Sequence, residues 1–360
     1  MKSNYDTLGK YIRPVDARNR DLTITNLLGV SIEKKFIPSI ANIIGTDLSS
    51  YKVVRTGQFA YGPVTSRNGE KISIAYLDGE DCIISSSYSV FEVTNKEALD
   101  PEYLMLWFSR PEFDRYARSK SHGSVREIFD WNELCMVELP VPSIDEQRNI
   151  VKAYKTITDR IVLKKQINDN LEAQAEAIYN EMIVKNSANC KMSTLEETST
   201  IKTGKLNSEA AVANGIYPFF TCSQETYRTN TFSFDQEAVL LAGNNASAIY
   251  PLKIYCGKFD AYQRTYVISS KNKLVSNKQL YFVLKQQLKE FRGISSGTAT
   301  KFLTMKILAP IPVILASKDV ANSFIKATDK MFETIFQNQR EIEHLNEIQT
   351  VILGELSRNK

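Results

Sequence analysis

The sequence predicts an α/β (α+β) protein with two globular domains related by internal duplication, separated by two long helices forming an antiparallel coiled coil. Three observations predict it. At 360 residues the chain exceeds the size of one ordinary core. One order of features occurs twice at a period of about half the chain. Each copy ends in an apolar run with heptad spacing.

The repeat is specific in its order. In the first half Tyr103 to Phe108 is followed by Phe113-Asp-Arg-Tyr, then Gly123-Ser-Val-Arg-Glu-Ile-Phe, then a Pro140-Val-Pro142 turn and a helical pattern. In the second half Tyr281-Phe-Val-Leu precedes Phe291-Arg, Gly297-Thr-Ala-Thr-Lys-Phe-Leu, Pro310-Ile-Pro312 and another helical pattern. Matched spacings differ by four residues at each of two places. The predicted segments are 1–142 (first domain), 143–189 (first helical region), 190–316 (second domain) and 317–360 (second helical region).

Within the domains, strand-like runs cover Phe36 to Ile44, Asp81 to Val93, Ala238 to Ala242 and Arg264 to Ser269. Turn clusters such as Arg67-Asn-Gly69 and Gly243-Asn-Asn245 punctuate them. Tyr103 to Phe108 and Lys278 to Phe291 read as helices. The first long helix, Ile144 to Asn186, would be roughly 60 Å long at ~1.5 Å per residue. Its predicted seam is Ile150, Tyr154, Ile157, Ile161, Leu171, Ala175, Ile178 and Met182. Lys164 and Asn168 interrupt it, and Leu163 and Ile167 stand ready to take over through a local shift of register. The second seam is Met331, Ile335, Ile342, Leu345, Ile352 and Leu356, with Asn338 and Gln349 as polar interruptions. Both helices follow a Pro-x-Pro element that enforces an extended approach, and Ser143 with Glu146 has capping-box spacing. One amphipathic helix ordinarily packs on its own domain. Two equivalent seams in one chain favour pairing with each other.

Charge and composition exclude several functions. Lys+Arg against Asp+Glu is 17 to 19 in residues 1–142 and 15 to 8 in 190–316, so the net of +7 in the second domain contrasts with −2 in the first. The excess suits a polyanion. Five scattered cysteines without a Cys-x-x-Cys pair, and only two histidines, argue against a zinc site or disulfides and for buried, reduced thiols. No metal is expected. No apolar run approaches ~20 residues and no signal peptide is visible, so a cytoplasmic protein without a membrane partner is expected. Phosphate-loop and dinucleotide fingerprints are missing, as is the Asn-Pro-Pro-aromatic sequence of adenine methyltransferases. His122 reads as a loop residue in solvent and His344 as a solvated helix position. No catalytic residues are expected.

Candidate DNA-binding residues are polar side chains in predicted loops, since base edges need donors and acceptors and phosphates need cations. In the first domain these are Thr65, Ser66, Arg67, Asn68, Lys120, Ser121, Ser124 and Arg126. In the second they are Lys205, Asn207, Gln224, Arg228, Asn230, Asn244, Asn245, Ser296, Thr298 and Lys301. An ordinary solvated turn competes with each loop. Tyr262-Gln263-Arg264 has base-reading chemistry, but its strand-like flanks favour a structural role in which Arg264 satisfies internal carbonyls or pairs with Asp260.

The arrangement of domain, helix, domain and helix resembles the specificity subunit of type I restriction-modification systems. Tyr51 to Tyr61, Asp81 to Tyr88, Gly257-Lys-Phe-Asp-Ala-Tyr-Gln-Arg-Thr-Tyr266 and Pro142-Ser-Ile-Asp-Glu-Gln-Arg148 carry the likeness. Pro312 to Lys318 has drifted from the last pattern and lacks its Glu-Gln pair. The resemblance implies two target-recognition domains that read a bipartite, asymmetric site on double-stranded DNA. It implies a non-catalytic chain docking two methyltransferase subunits and, where present, two restriction subunits. No cofactor is expected in this chain; S-adenosylmethionine and ATP with magnesium are expected on the partners. The competing expectation is a coiled-coil scaffold that never touches DNA. A nuclease or fused methyltransferase is the enzymatic rival, and it lacks a visible site.

Overall fold

The computed structural model describes residues 5–39, 45–66, 68–123, 126–294 and 301–357. In the first half, short strands β1 (Tyr5–Thr7), β2 (Ile12–Val15), β3 (Leu28–Val30), β4 (Phe36–Pro38), β5 (Lys52–Val54), β6 (Phe59–Tyr61), β7 (Ile74–Tyr76), β8 (Cys82–Ile84) and β9 (Ser89–Val93) come first. Helices α1 (Pro101–Phe108), α2 (Pro111–Ser119) and α3 (Trp131–Cys135), strand β10 (Glu138–Pro140) and helix α4 (Ile144–Tyr179) follow. The second half repeats the plan with β11 (Lys191–Thr194), α5 (Leu195–Thr198), β12 (Ser199–Thr203), β13 (Tyr217–Phe220), β14 (Thr226–Thr229), β15 (Phe234–Ala242) and β16 (Asn244–Asn245). It continues through β17 (Leu252–Ala261), β18 (Thr265–Ser270), α6 (Asn277–Ile294), β19 (Lys301–Phe302), α7 (Met305–Leu308), β20 (Pro312–Leu315) and α8 (Lys318–Glu355). The chain forms two compact units, 1–162 with 343–360, and 163–342. Each takes part of both long helices.

The duplication is visible strand by strand. β1 pairs with β10 as β11 pairs with β20, both antiparallel. β9 lies between β2 and β6 as β18 lies between β12 and β15. The long ribbon of β15 and β17 corresponds to two shorter ladders, β6 with β7 and β5 with β8. A parallel bridge from Leu27 to Ile83 matches the parallel pairing of β13 with β17. The turn before β18, Tyr262 to Arg264, is therefore equivalent to Ser85 to Tyr88 before β9.

Each unit has its own core. In the first, Phe59, Phe91, Phe108, Phe113 and Phe129 are buried between the sheet and α1–α2, with Phe59 and Phe91 stacked at 4.9 Å. Each such ring contributes roughly 1.5–3 kcal/mol on burial. In the second, Tyr179, Phe282, Phe291, Phe324 and Phe332 join α4, α6 and α8 to the sheet. Asp100 caps α1 by accepting from Glu102 N and Tyr103 N, and Pro101 stands at the first helical position. Glu146 N donates to Ser143 Oγ at 3.4 Å at the start of α4.

Several expectations change. The run Asp81 to Val93 is two strands, because Ser85, Ser86 and Ser87 form a turn closed by Tyr88 N donating to Ser85 O. Of Phe36 to Ile44, the strand covers Phe36–Pro38; 40–44 lie outside the described residues. The first helix is α-helical to Tyr179 and then opens into a π-turn, Asn180–Val184, which keeps both Tyr179 and Ile183 buried. Leu163 and Ile167 do not take over the seam: they are 56% and 38% exposed. Lys164 stays in it, donating to Asn338 Oδ1 at 2.9 Å and pairing with Glu341 at 2.7 Å, while Asn338 Nδ2 donates to Asn168 Oδ1 at 2.8 Å. With Lys164 beside 341 and Asn168 beside 338, the helices in this unit run antiparallel. All fourteen predicted seam residues are at least half-buried. In the other unit Ile150, Tyr154, Leu353 and Leu356 pack into one core, and Gln349 Nε2 donates to Thr158 Oγ1 at 2.7 Å. Among the cysteines only Cys82 is fully buried; Cys135, Cys190, Cys222 and Cys256 are half-buried.

Candidate nucleic-acid interface

In the first unit the structure joins the two predicted loops into one surface. Thr65 N donates to Glu127 O, Phe129 N to Pro63 O, and His122 and Ile128 exchange backbone hydrogen bonds. Gly123 makes the close turn possible: its φ is +135°, and a Cβ there would stand 2.1 Å from Arg126 O. Two candidates are used internally. Thr65 is 2% exposed and donates Oγ1 to Ser121 Oγ at 2.9 Å; Ser121 in turn donates to Ala117 O at 2.7 Å. Neither has a proton left to donate to a base, because loop closure uses both hydroxyl hydrogens. Ser66 and Arg126 are exposed, and Asn68 is half-buried with its amide on Val64 O at 3.4 Å. Lys120 lies 4.0 Å from Glu133, and exposed His122 3.8 Å from the same carboxylate. Arg67 and Ser124 lie outside the described residues.

In the second unit the turn Tyr262 to Arg264 organises the site. Tyr262 N donates to Phe220 O, Gln263 N to Leu206 O, Thr265 N to Tyr262 O and Gly243 N to Arg264 O, all at 2.8–3.0 Å. Gly204 permits this approach, since a Cβ there would lie 1.9 Å from Ala261 O. Lys205, Asn207, Gln224, Gln263 and Arg264 are exposed on these segments, with half-buried Asn244, Asn245 and Lys301 beside them. Neither form of the expected structural role, Arg264 bonded to internal carbonyls or paired with Asp260, occurs among the described residues. Asp260 is fully buried and accepts from Thr231 Oγ1 at 2.8 Å, whereas Arg264 is exposed and stacks its guanidinium 5.2 Å from the Phe302 ring centre. The side chains of Lys205, Gln263, Arg264 and Lys301 have no hydrogen-bond or ion-pair partner among the described residues.

Other candidates are engaged in building the fold or lie apart. Asn245 Oδ1 accepts from Ser247 N and Ile249 N, so it builds its own turn. Arg228, opposite Pro218, donates to Ile216 O at 3.1 Å, and it and Asn230 lie toward the open end of the β13–β14 hairpin. Ser296 and Thr298 lie outside the described residues. Sequence reasoning missed Phe302 and Lys253. Lys253 stands over the Phe220 ring and donates to Thr226 Oγ1 at 2.9 Å, and burial pulls its pKa down to about 8 against the opposing effect of Glu225. The Lys301-Phe302 dipeptide after a glycine-rich loop was the available signal.

Among the described residues no group of three or more His, Cys, Asp or Glu side chains is placed to hold a metal ion. Nor is any helix there long and apolar enough to cross a membrane. A groove of about 1180 Å³ in the first unit includes in its lining the ion pairs of Lys34 with Asp114 and of Lys155 with Glu102.

Comparison with known proteins matches both halves of the chain separately. The family described as type I restriction modification DNA specificity domain matches residues 33–173 and again 188–349. The specificity subunit of the EcoDI type I restriction enzyme of Escherichia coli is 33% identical over 154 residues, 43% of this chain and 34% of that protein. That of the MjaIX enzyme of Methanocaldococcus jannaschii is 23% identical over 299 residues, 72% of this chain and 69% of that one. The match thus spans about a third of the EcoDI subunit. The type I restriction-modification S subunit of M. genitalium shares the fold, with a TM-score of 0.58 at 14% identity over 98% of this chain and 95% of that one.

Proposed function

Because the chain belongs to the type I restriction modification DNA specificity family, we propose that it is the sequence-reading subunit of such a complex. It performs no chemistry itself. Each unit reads one half of a bipartite, asymmetric site on double-stranded DNA, and the chain docks two adenine methyltransferase subunits and, where present, two restriction subunits. S-adenosylmethionine and ATP with magnesium act on those partners. The observation that carries this reading is the turn of the second unit. It presents Gln263 and Arg264 on a backbone fixed from three sides, beside Lys205 and Lys301, whose side chains have no hydrogen-bond or ion-pair partner among the described residues, in the segment with a net charge of +7. Donors held rigidly in this way suit base edges and phosphates. The long helices, of 36 and 38 residues, act as the spacer that sets the interval between half-sites.

The test is DNA binding by the chain together with its methyltransferase as salt rises. Phosphate contacts release counterions, so the logarithm of affinity should fall linearly with the logarithm of salt, by about 0.9 for each phosphate neutralised. Salt-independent or absent binding would favour a scaffold, the reading to which the net charge of −2 in residues 1–142 lends support.

A further inference from the structure

The two units are built alike, yet the equivalent turns before their central strands differ in kind. In the second unit the turn carries Gln263 and Arg264; in the first it carries Ser85, Ser86 and Ser87. The serine turn is occupied with itself, since Ser85 Oγ lies 3.0 Å from Ser87 Oγ and accepts from Ser87 N. The arginine turn is not. Its backbone is pinned, its guanidinium lies over the Phe302 ring at 5.2 Å from the ring centre, and its N–H groups have no acceptor among the described residues. Lys205, on the segment bonded to Gln263, and Lys301, beside Phe302, flank it without partners of their own among the described residues.

We propose that Arg264, stacked on Phe302 and flanked by Lys205 and Lys301, is a phosphate clamp, so that grip on the DNA backbone is asymmetric and comes mainly from the second unit. A planar guanidinium whose swing is restricted by an aromatic ring presents its fork in one direction, which suits bidentate contact with a phosphate. Two adjacent point charges without base-reading geometry suit the same chain of phosphates. Among the described residues, the joined loops of the first unit carry Arg126 and the partly engaged Lys120, and its serine turn adds no cation. The inference rests on the DNA-reading function proposed above and adds where affinity, as distinct from sequence choice, resides.

The experiment uses the complex with its methyltransferase and compares cognate with unrelated duplexes across a salt series. Salt-dependent binding by the unaltered complex is the control; its absence would overturn the DNA-reading function itself rather than the clamp. Given that control, Arg264→Ala should weaken binding to both duplexes by the same factor and lower the salt slope by about 1. Arg264→Lys should restore the slope, and the methylated sequence should stay the same. The reverse variant, Ser86→Arg, should strengthen binding to both duplexes and raise the slope. If Arg264→Ala does not fold, the Lys205→Ala/Lys301→Ala pair gives the same readout with a slope change of about 2. The clamp is overturned if Arg264→Ala relaxes the methylated sequence at one base position, which would make it a base reader. It is also overturned if slope and affinity are unchanged by both the losses and the gain.

Discussion

At the scale of single residues, exposure and partnership separate candidate contact residues from those that build the fold. Thr65 and Ser66 are neighbours with similar side chains, but one hydroxyl is buried and bonded while the other faces solvent. Thr65→Val should destabilise the protein by about 0.5–1.5 kcal/mol, the ordinary net value of a hydrogen bond, and leave the methylated sequence unchanged, as denaturant unfolding and methylation mapping would show. Ser66→Ala should do the opposite. Lys253 gives a pH-dependent case. Its folded pKa of about 8 lies below the ~10.4 of a free lysine, so burial penalises its charged form. That penalty is complete below pH 8 and fades as pH rises toward 10.4, where the unfolded chain also loses the proton. Lys253→Met should therefore raise the Tm relative to the unaltered chain more at pH 7 than at pH 9.5; a gap that widens with pH would refute the assignment. None of this was legible from residue type alone. Arg264 shows why: strand-like flanks suggested an internal partner, yet the carboxylate considered for that role, Asp260, is held by Thr231.

At the scale of elements, periodicity was the reliable guide. The fourteen residues that the heptad spacing singled out are all at least half-buried, because the long helices bury one face. What periodicity could not decide is the polar layer. Leu163 and Ile167 offered a more apolar seam, but Lys164 and Asn168 meet Asn338 and Glu341, and a satisfied polar layer restricts how the helices can register. Asn338→Leu should cost about 1–3 kcal/mol by leaving Lys164 and Asn168 short of a buried partner, measurable as a lower unfolding midpoint. Tight approaches were equally invisible. Gly204→Ala forces a methyl against Ala261 O and should destabilise the second unit by about 1–3 kcal/mol. Adding one helical turn to both α4 and α8 should widen the unspecific gap in the methylated site; an unaltered gap would reject the spacer.

At the scale of the whole molecule, the duplication was legible as repeated order and is confirmed ladder by ladder, down to the parallel bridge shared by both units. The difference in charge was also legible, as +7 against −2. Its physical expression was not, because the equivalence of Ser85–Ser87 with Tyr262–Arg264 depends on strand pairing that no local pattern encodes. Two units of one fold but different surfaces are what the proposed reading of one duplex by two independent units requires. The most direct test replaces residues 190–316 with the corresponding segment of another such protein and maps methylated adenines genome-wide with single-molecule sequencing. One half of the recognised sequence should change while the other half and the gap persist; a change in both halves, or in neither, would contradict independent readers.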